Sequence, residues 1–190
     1  MYKKIVSCLF FSLFAPLVAL CADDPSRARL YIPVSTNATV GGCATCEIKA
    51  SGYSARYVFG FGLGLGVASS KASVSGDPDM PDYSYDSGPM IDIGYTFGSD
   101  FTFTLGLGVG SSPSSDIKNT SDSTYKLEGK SASNTFLGLG YNLGSIEILL
   151  ALRSVSVTLD QSYTHPLFGP MKWEIKNSWS TTDIGIGFTF

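Results

Sequence analysis

The chain has 190 residues, 44% hydrophobic and only 15% charged, with 21 glycines, four cysteines, one histidine and a formal net charge of −3. That length fits one domain, and the acidic balance excludes a nucleic-acid binder, which would carry a basic face. A single histidine leaves few ligands for a transition-metal centre, so neither a metal nor another cofactor is expected.

Lys3 and Lys4 precede the apolar run Ile5 to Leu20, which ends at Cys21-Ala22 before Asp23-Asp24-Pro25. This is the layout of a secretory signal peptide, residues 1–22, with cleavage expected after Ala22. The run is short for a membrane-spanning helix and is broken by Pro16. A rival reading makes Cys21 a lipidated N-terminus, but Leu20 is bulkier than the residue usual there. Loss of residues 1–22 leaves eleven basic and sixteen acidic residues, a mature charge of −5.

Residues 23–54 are weakly patterned. Leu30, Ile32 and Val34 could belong to one strand and Glu47 to Tyr53 to another; otherwise the segment is a periplasmic extension or a plug, and six long strands close alone or contribute to a barrel shared by several chains. Cys43 and Cys46 are the two cysteines left after cleavage, and in an exported chain they are expected to form a disulfide clip in a loop. A redox pair would sit at a helix N-terminus, and this stretch is rich in glycine and threonine.

From Tyr57 a two-residue period sets in. Tyr57, Phe59, Phe61, Leu63, Leu65 and Val67 alternate with Val58, glycines and Ala68, which puts all the large apolar groups on one face of a strand over 57–68. Ile91, Ile93, Tyr95 and Phe97 repeat the pattern; after Gly98-Ser99-Asp100 it resumes at Phe101, Phe103, Leu105, Leu107 and Val109, a hairpin. A second hairpin sets Leu137, Leu139, Tyr141 and Leu143 before Ile146, Ile148, Leu150 and Leu152. The last strand carries Ile184, Ile186, Phe188 and Phe190. Six strands are clear. The lengths suit tilted strands that cross a bilayer, which take about 9 to 11 residues each.

Connections alternate between long polar stretches and turns of two or three residues, the habit of outer-membrane barrels. With the short turns at one end, Tyr57, Phe59, Tyr95, Phe97, Phe101, Phe103, Tyr141, Phe188 and Phe190 fall near that end with outward parity and form one aromatic girdle. A soluble core has no reason to gather its aromatics at one level.

Over residues 55–190 the chain resembles small bacterial outer-membrane barrels of the OmpA-like and opacity-protein type. The resemblance rests on the signal peptide, the amphipathic hairpins and the C-terminal pattern Ile184, Ile186, Phe188, Phe190. It implies an all-β, antiparallel, up-and-down transmembrane β-barrel of eight strands in the bacterial outer membrane, and, for Phe188 and Phe190, recognition by the barrel-assembly machinery. Such barrels host many functions, so activity does not follow.

Four charged residues have inward parity: Asp92, Glu147, Arg153 and Asp183. Charge in a confined lumen needs partners, so a bridge from Arg153 to Asp183 or Asp92 is expected; the functional alternative is a selectivity ring in a narrow channel. The inward glycines (60, 62, 64, 66, 106, 108, 110, 138, 140, 185, 187) relieve crowding on one reading and leave a pore on another. Gly106-Leu107-Gly108-Val109-Gly110 continues a strand without a following helix, so it is no phosphate loop.

His165 is placed in a predicted extracellular loop, and its nearness to Ser162 is too little for a nucleophile and base. No catalytic residues are assigned and no enzyme is expected. The predicted loops 70–86, 112–133 and 159–172 are candidate contacts for an extracellular ligand, and outer-membrane lipids are expected neighbours. Asp77, Asp79, Asp82 and Asp86 lack the order of a calcium loop. The reading that follows is a surface-exposed barrel with a structural or adhesive role; a narrow porin-like channel is the alternative, and a lipid-modifying enzyme a distant one.

Overall fold

The computed structural model describes residues 25–37, 46–76, 82–116, 125–165 and 169–190. The proposed leader, Cys21, Cys43 and the acidic pair Asp77 and Asp79 lie outside the described residues.

Ten antiparallel strands form one sheet: β1 (Arg27–Asn37), β2 (Glu47–Val58), β3 (Leu63–Ser75), β4 (Tyr83–Asp86), β5 (Met90–Phe97), β6 (Phe101–Gly110), β7 (Ser114–Ser115), β8 (Tyr125–Asn142), β9 (Ile146–His165) and β10 (Gly169–Thr189). Eight of them close a ring, because β1 pairs with β10 and with β2, and β2 pairs with β3. The short β4 and β7 pair with each other, and β4 extends the wall beside β3. Residues 27–37 and 47–58 thus supply the two ring strands that alternation alone did not resolve.

Following paired residues round the ring from Ser154 on β9, through Thr135, Leu107, Ile93, Leu65, Tyr57, Ala28 and Phe188, returns to β9 at Ile146, eight residues lower. Eight strands with that stagger tilt by about 36° and enclose a lumen that side chains fill.

The outer face carries an apolar band. On β9, Ile146, Ile148, Leu150 and Leu152 are 44 to 58% exposed, and the next outward residues are Ser154, Ser156 and Thr158. At this tilt successive outward positions advance about 5 Å along the axis, so four or five of them give a band about 20 Å tall, near the height of an outer-membrane barrel's apolar belt. Aromatic rings crowd its lower edge: Tyr57 meets Phe59 and Phe190, Tyr95 meets Phe97, and Phe101 meets Tyr141.

Polarity inverts at the upper edge. Where β9 changes outside from Leu152 to Ser154, it changes inside from Arg153 to Val155, Val157 and Leu159, all buried. Above the band the interior is an apolar core that includes Trp179, Met90, Ala132, Val74, Tyr83 and Tyr85. The upper barrel is therefore built like a water-soluble one, polar outside and apolar within.

Four sequence expectations need correction. The single strand over 57–68 is two strands joined at residues 59–62, where the Phe59 amide donates to the Leu63 carbonyl and the Gly62 amide to the Phe59 carbonyl. Gly62 has φ of 92°, which an L side chain rarely adopts. The turn keeps the alternation in phase, so a period-two pattern runs through it unbroken. Residues 159–172 are mostly strand rather than loop, since β9 reaches His165 and β10 starts at Gly169, and 112–133 yields its last part to β8. Residues 70–75 and 83–86 are likewise strand. Above the membrane these strands are polar outside and apolar within, so the outward apolar face used to find the others is absent. One sign of this is the exposed cluster where Lys130 donates to Glu174: that bond holds the Glu174 carboxyl below the usual range and the Lys130 ammonium above it.

A closed barrel of this kind resists detergent until heated, so unboiled and boiled protein are expected to run at different positions on a detergent gel. A β-carbon at Gly106 would overlap the Phe136 ring and the Ile93 carbonyl; Gly106→Val is expected to lose the heat-sensitive band, and its survival would show that the ring is not packed as described.

Candidate functional site

The lumen at membrane depth is the concentration of chemistry in this molecule. Because β1 alternates, Leu30 and Ile32 face outward while Arg27, Arg29 and Tyr31 face inward, and Arg29 and Arg56 stand opposite each other on β1 and β2.

The lower tier is a single saturated arginine. Arg29 Nε and Nη2 each lie 2.7 Å from an oxygen of Glu147, a bidentate pair. Its Nη1 donates to Thr104 Oγ1 at 2.7 Å and Thr96 Oγ1 at 3.2 Å, and Nη2 also donates to Thr102 Oγ1 at 3.0 Å. All five guanidinium N–H groups are used. Thr102 in turn donates to Glu147 Oε1 at 2.6 Å. Arg29 and Glu147 have side chains with no solvent exposure. Below them Arg27 donates to the Gly98 carbonyl.

Tyr31, Leu149 and Ala151 form a small apolar layer, and above it lies the second tier. Asp92 Oδ2 accepts from Arg56 Nη2 at 3.0 Å and Arg153 Nη1 at 3.2 Å, and its Oδ1 accepts from Asn134 at 2.8 Å. Arg153 Nε reaches Asp183 Oδ2 at 3.2 Å, while Thr181 donates to Asp183 Oδ1 at 2.6 Å. The Phe136 ring lies beneath both arginines, 3.5 Å from Arg56 Cζ and 5.3 Å from Arg153 Cζ, a cation–π contact that substitutes for part of the lost hydration. The two tiers hold three arginines and three carboxylates.

Of the four inward charges read from the sequence, the structure joins Asp92, Arg153 and Asp183 and places Glu147 in the other tier. Arg29 and Arg56 are the residues missed. The signal was there: both have the inward parity that Leu30 and Tyr57 define, but Arg29 falls in the weakly patterned 23–54 and Arg56 stands just ahead of the period that sets in at Tyr57. Cys46 is disulfide-bonded, and its expected partner, Cys43, lies outside the described residues. Phe188 and Phe190 project outward, 47% and 68% exposed, at the end where the chain closes. His165 ends β9. Among the described residues no cluster of three or more potential metal ligands occurs.

The space over the inward glycines is taken by side chains from neighbouring strands. A β-carbon would overlap Phe136 at Gly94 and Gly106, Asp92 and Asn134 at Gly108, and Glu147 at Gly140 and Gly187. The glycines make room for the tiers.

Among the described residues the wall has a seam between β1 and β2. Pairing between β1 and β2 stops at Tyr31 and Ser54 although both strands continue upward. The Phe190 amide donates to the Ser26 carbonyl, so even-numbered residues of β1 point their backbone groups to β10 and odd ones to β2. The next donor to β2 would be residue 33, a proline without an N–H. The register is then broken between Pro33 and Ser35, and Gly52, which falls opposite Pro33, has φ of 152°. Beyond the break the Ala50 amide donates to Thr36 Oγ1 at 2.8 Å, a side chain taking the place of a backbone partner.

Neither a protein-family model nor a curated protein matches the sequence. Among solved structures the chain is similar to the outer membrane protein OprG from Pseudomonas aeruginosa, with 16% identity, a TM-score of 0.51, and coverage of 88% of this chain and 96% of that one. It is also similar to the outer membrane protein AlkL studied in lipid bilayers, with 14% identity, a TM-score of 0.50, and coverage of 88% and 90%. At these identities the likeness is one of fold: the chain has the fold of small, eight-stranded outer-membrane β-barrels.

Breaking one side of a buried pair strands the other charge, at a cost of about 3–5 kcal/mol. Glu147→Ala is therefore expected to lower the urea midpoint sharply in detergent, and the double change Arg29→Met with Glu147→Leu to cost much less. Equal losses would mean that Arg29 and Glu147 are not coupled.

Proposed function

We propose that the chain, after removal of its leader behind Ala22, is an integral protein of the bacterial outer membrane that acts at the cell surface through its extracellular half, in a structural or adhesive role, and is not an open pore. The observation that carries this reading is the filled lumen: Arg29, Arg56, Asp92, Glu147, Arg153 and Asp183 are each at most 5% exposed, so at membrane depth no water-sized path runs between them. An apolar core caps these tiers on the outer side. The exposed Phe188 and Phe190 at the periplasmic end suit recognition by the barrel-assembly machinery, and the role needs no catalysis; unchanged lipid A composition with His165→Ala is the expected result.

A second reading, a narrow conduit for small solutes, is favoured by the seam. A route from outside that leaves sideways between β1 and β2 would bypass both tiers, and unpaired backbone at membrane depth is uncommon unless it serves a path.

Planar-bilayer recording separates the two. Purified protein is expected to give no discrete conductance steps, and steps that change with Arg153→Ala would overturn the closed-barrel reading. Should vesicles holding the protein take up a small apolar solute, and Pro33→Val abolish that uptake, the seam reading replaces it.

A further inference from the structure

Across β1, β2 and β3 the lipid-facing wall is hollowed into a groove of about 410 Å³. Its floor is Ala28 and Ala55, the two alanines among the outward residues of the apolar band. Register makes the hollow: Ala55 lies between Leu30 on one side and Val67 on the other, and Ala28 lies beside Tyr57. Phe188 closes the lower end. From there to Val67 the groove rises about 15 Å at this tilt, roughly one leaflet of hydrocarbon.

Directly above it stand the cations nearest the apolar band. Tyr53, 56% exposed, is the next outward residue above Ala55, where a phenol has its ring in the apolar layer and its hydroxyl in the polar one. Lys49 follows four residues beyond Tyr53, and Lys71 four residues beyond Val67. Lys71 pairs with Ser51 and Lys49 with Ser73, so the two lysines are diagonal neighbours on one face. Elsewhere among the described residues the first outward cations are farther off: Lys176 is eight residues beyond Ile184, and Lys130 seven beyond Leu137, where both are bound to Glu174. Among the described residues the ion pairs of Lys49 and Lys71 are weak competitors. Lys49 meets Glu47 at 3.0 Å with both side chains largely in solvent, and Lys71 is 4.0 Å from Asp116; such exposed pairs contribute little and yield to a better anion.

We propose that this sector is a docking site for an anionic, phosphate-bearing lipid of the outer leaflet, with one acyl chain in the groove over Ala28 and Ala55 and the phosphate between Lys49 and Lys71. The inference rests on the outer-membrane reading. Ammonium groups bind phosphate as point charges, and the apolar wall beneath lowers the local dielectric and strengthens that attraction. The groove alone would accept any acyl chain. The lysines make the site selective for charge.

The test uses the full barrel in nanodiscs of equal phosphatidylcholine and phosphatidylglycerol, with retained lipids counted by native mass spectrometry. Wild type is expected to retain phosphatidylglycerol several-fold over phosphatidylcholine, and the double variant Lys49→Ala, Lys71→Ala to retain the two equally. Ala55→Leu, which fills the groove, is expected to lower lipid retention, and Lys130→Ala with Lys176→Ala to leave the preference intact. Millimolar inorganic phosphate is expected not to displace the lipid; displacement would mean that a free phosphate site, not a lipid site, had been found. A wild type without preference, or a preference that survives loss of Lys49 and Lys71, overturns the proposal. Each variant is checked for the heat-dependent gel shift: absence of the shift in wild type sinks the membrane-barrel reading itself, whereas its presence with no lipid preference sinks only the docking site.

Discussion

A closed ring of eight strands staggered by eight residues leaves a lumen too narrow for bulk water, and whatever points into it must be satisfied by what else points into it. The bidentate pair of Arg29 and Glu147 meets that demand most completely, since three threonines on neighbouring strands take the remaining N–H groups of the arginine. Arg29 of β1 and Glu147 of β9 meet across Gly187 of β10, and the bonds from Arg29 to Thr96, Thr102 and Thr104 on β5 and β6 tie the first strand to the far wall. Asp92, shared between Arg56 and Arg153, does the same for β2, β5 and β9. Buried ion pairs are poor sources of net stability, because desolvation offsets most of the attraction, but mispairing them is costly. They therefore favour one register over its neighbours.

Polarity inversion follows from the surroundings rather than from the barrel. Below Ser154 the outside is hydrocarbon and the inside can be polar; above it the outside is water and the inside must be apolar for the strands to hold together. β9 and β10 change over at the same level, through Arg153 to Val155 and Asp183 to Trp179. The upper barrel then has its own packed core, which allows strands to stand well clear of the membrane instead of dissolving into loops.

Glycines and large side chains of neighbouring strands form complementary surfaces inside the lumen. Phe136 covers Gly94 and Gly106 and in turn carries the two arginines of the upper tier. The glycine runs that look like emptiness in the sequence are the imprint of residues distant in the chain. Pro33 acts in the opposite sense: by withholding one donor it ends a ladder that both strands would otherwise continue, and the wall is left with a side-chain bond from Thr36 where backbone bonds would be.

Alternation in residues 91–110, 137–152 and 184–190 was enough for the strand directions, the outward face, the aromatic girdle and the inward parity of Asp92, Glu147, Arg153 and Asp183. These are local properties, because a strand's period of two assigns each side chain to a face without reference to any partner. What parity cannot do is find a turn that keeps phase, as at residues 59–62, or recognise strands above the membrane, where the outward residues cease to be apolar. Nor can it choose partners. That Glu147 belongs to Arg29 and Asp92 to Arg56 and Arg153 depends on stagger, which is a property of the closed ring. By itself the sequence determined which way each side chain points; only the tertiary structure decided what it meets, because opposite walls of a barrel are brought together by closure and not by any local preference of the chain.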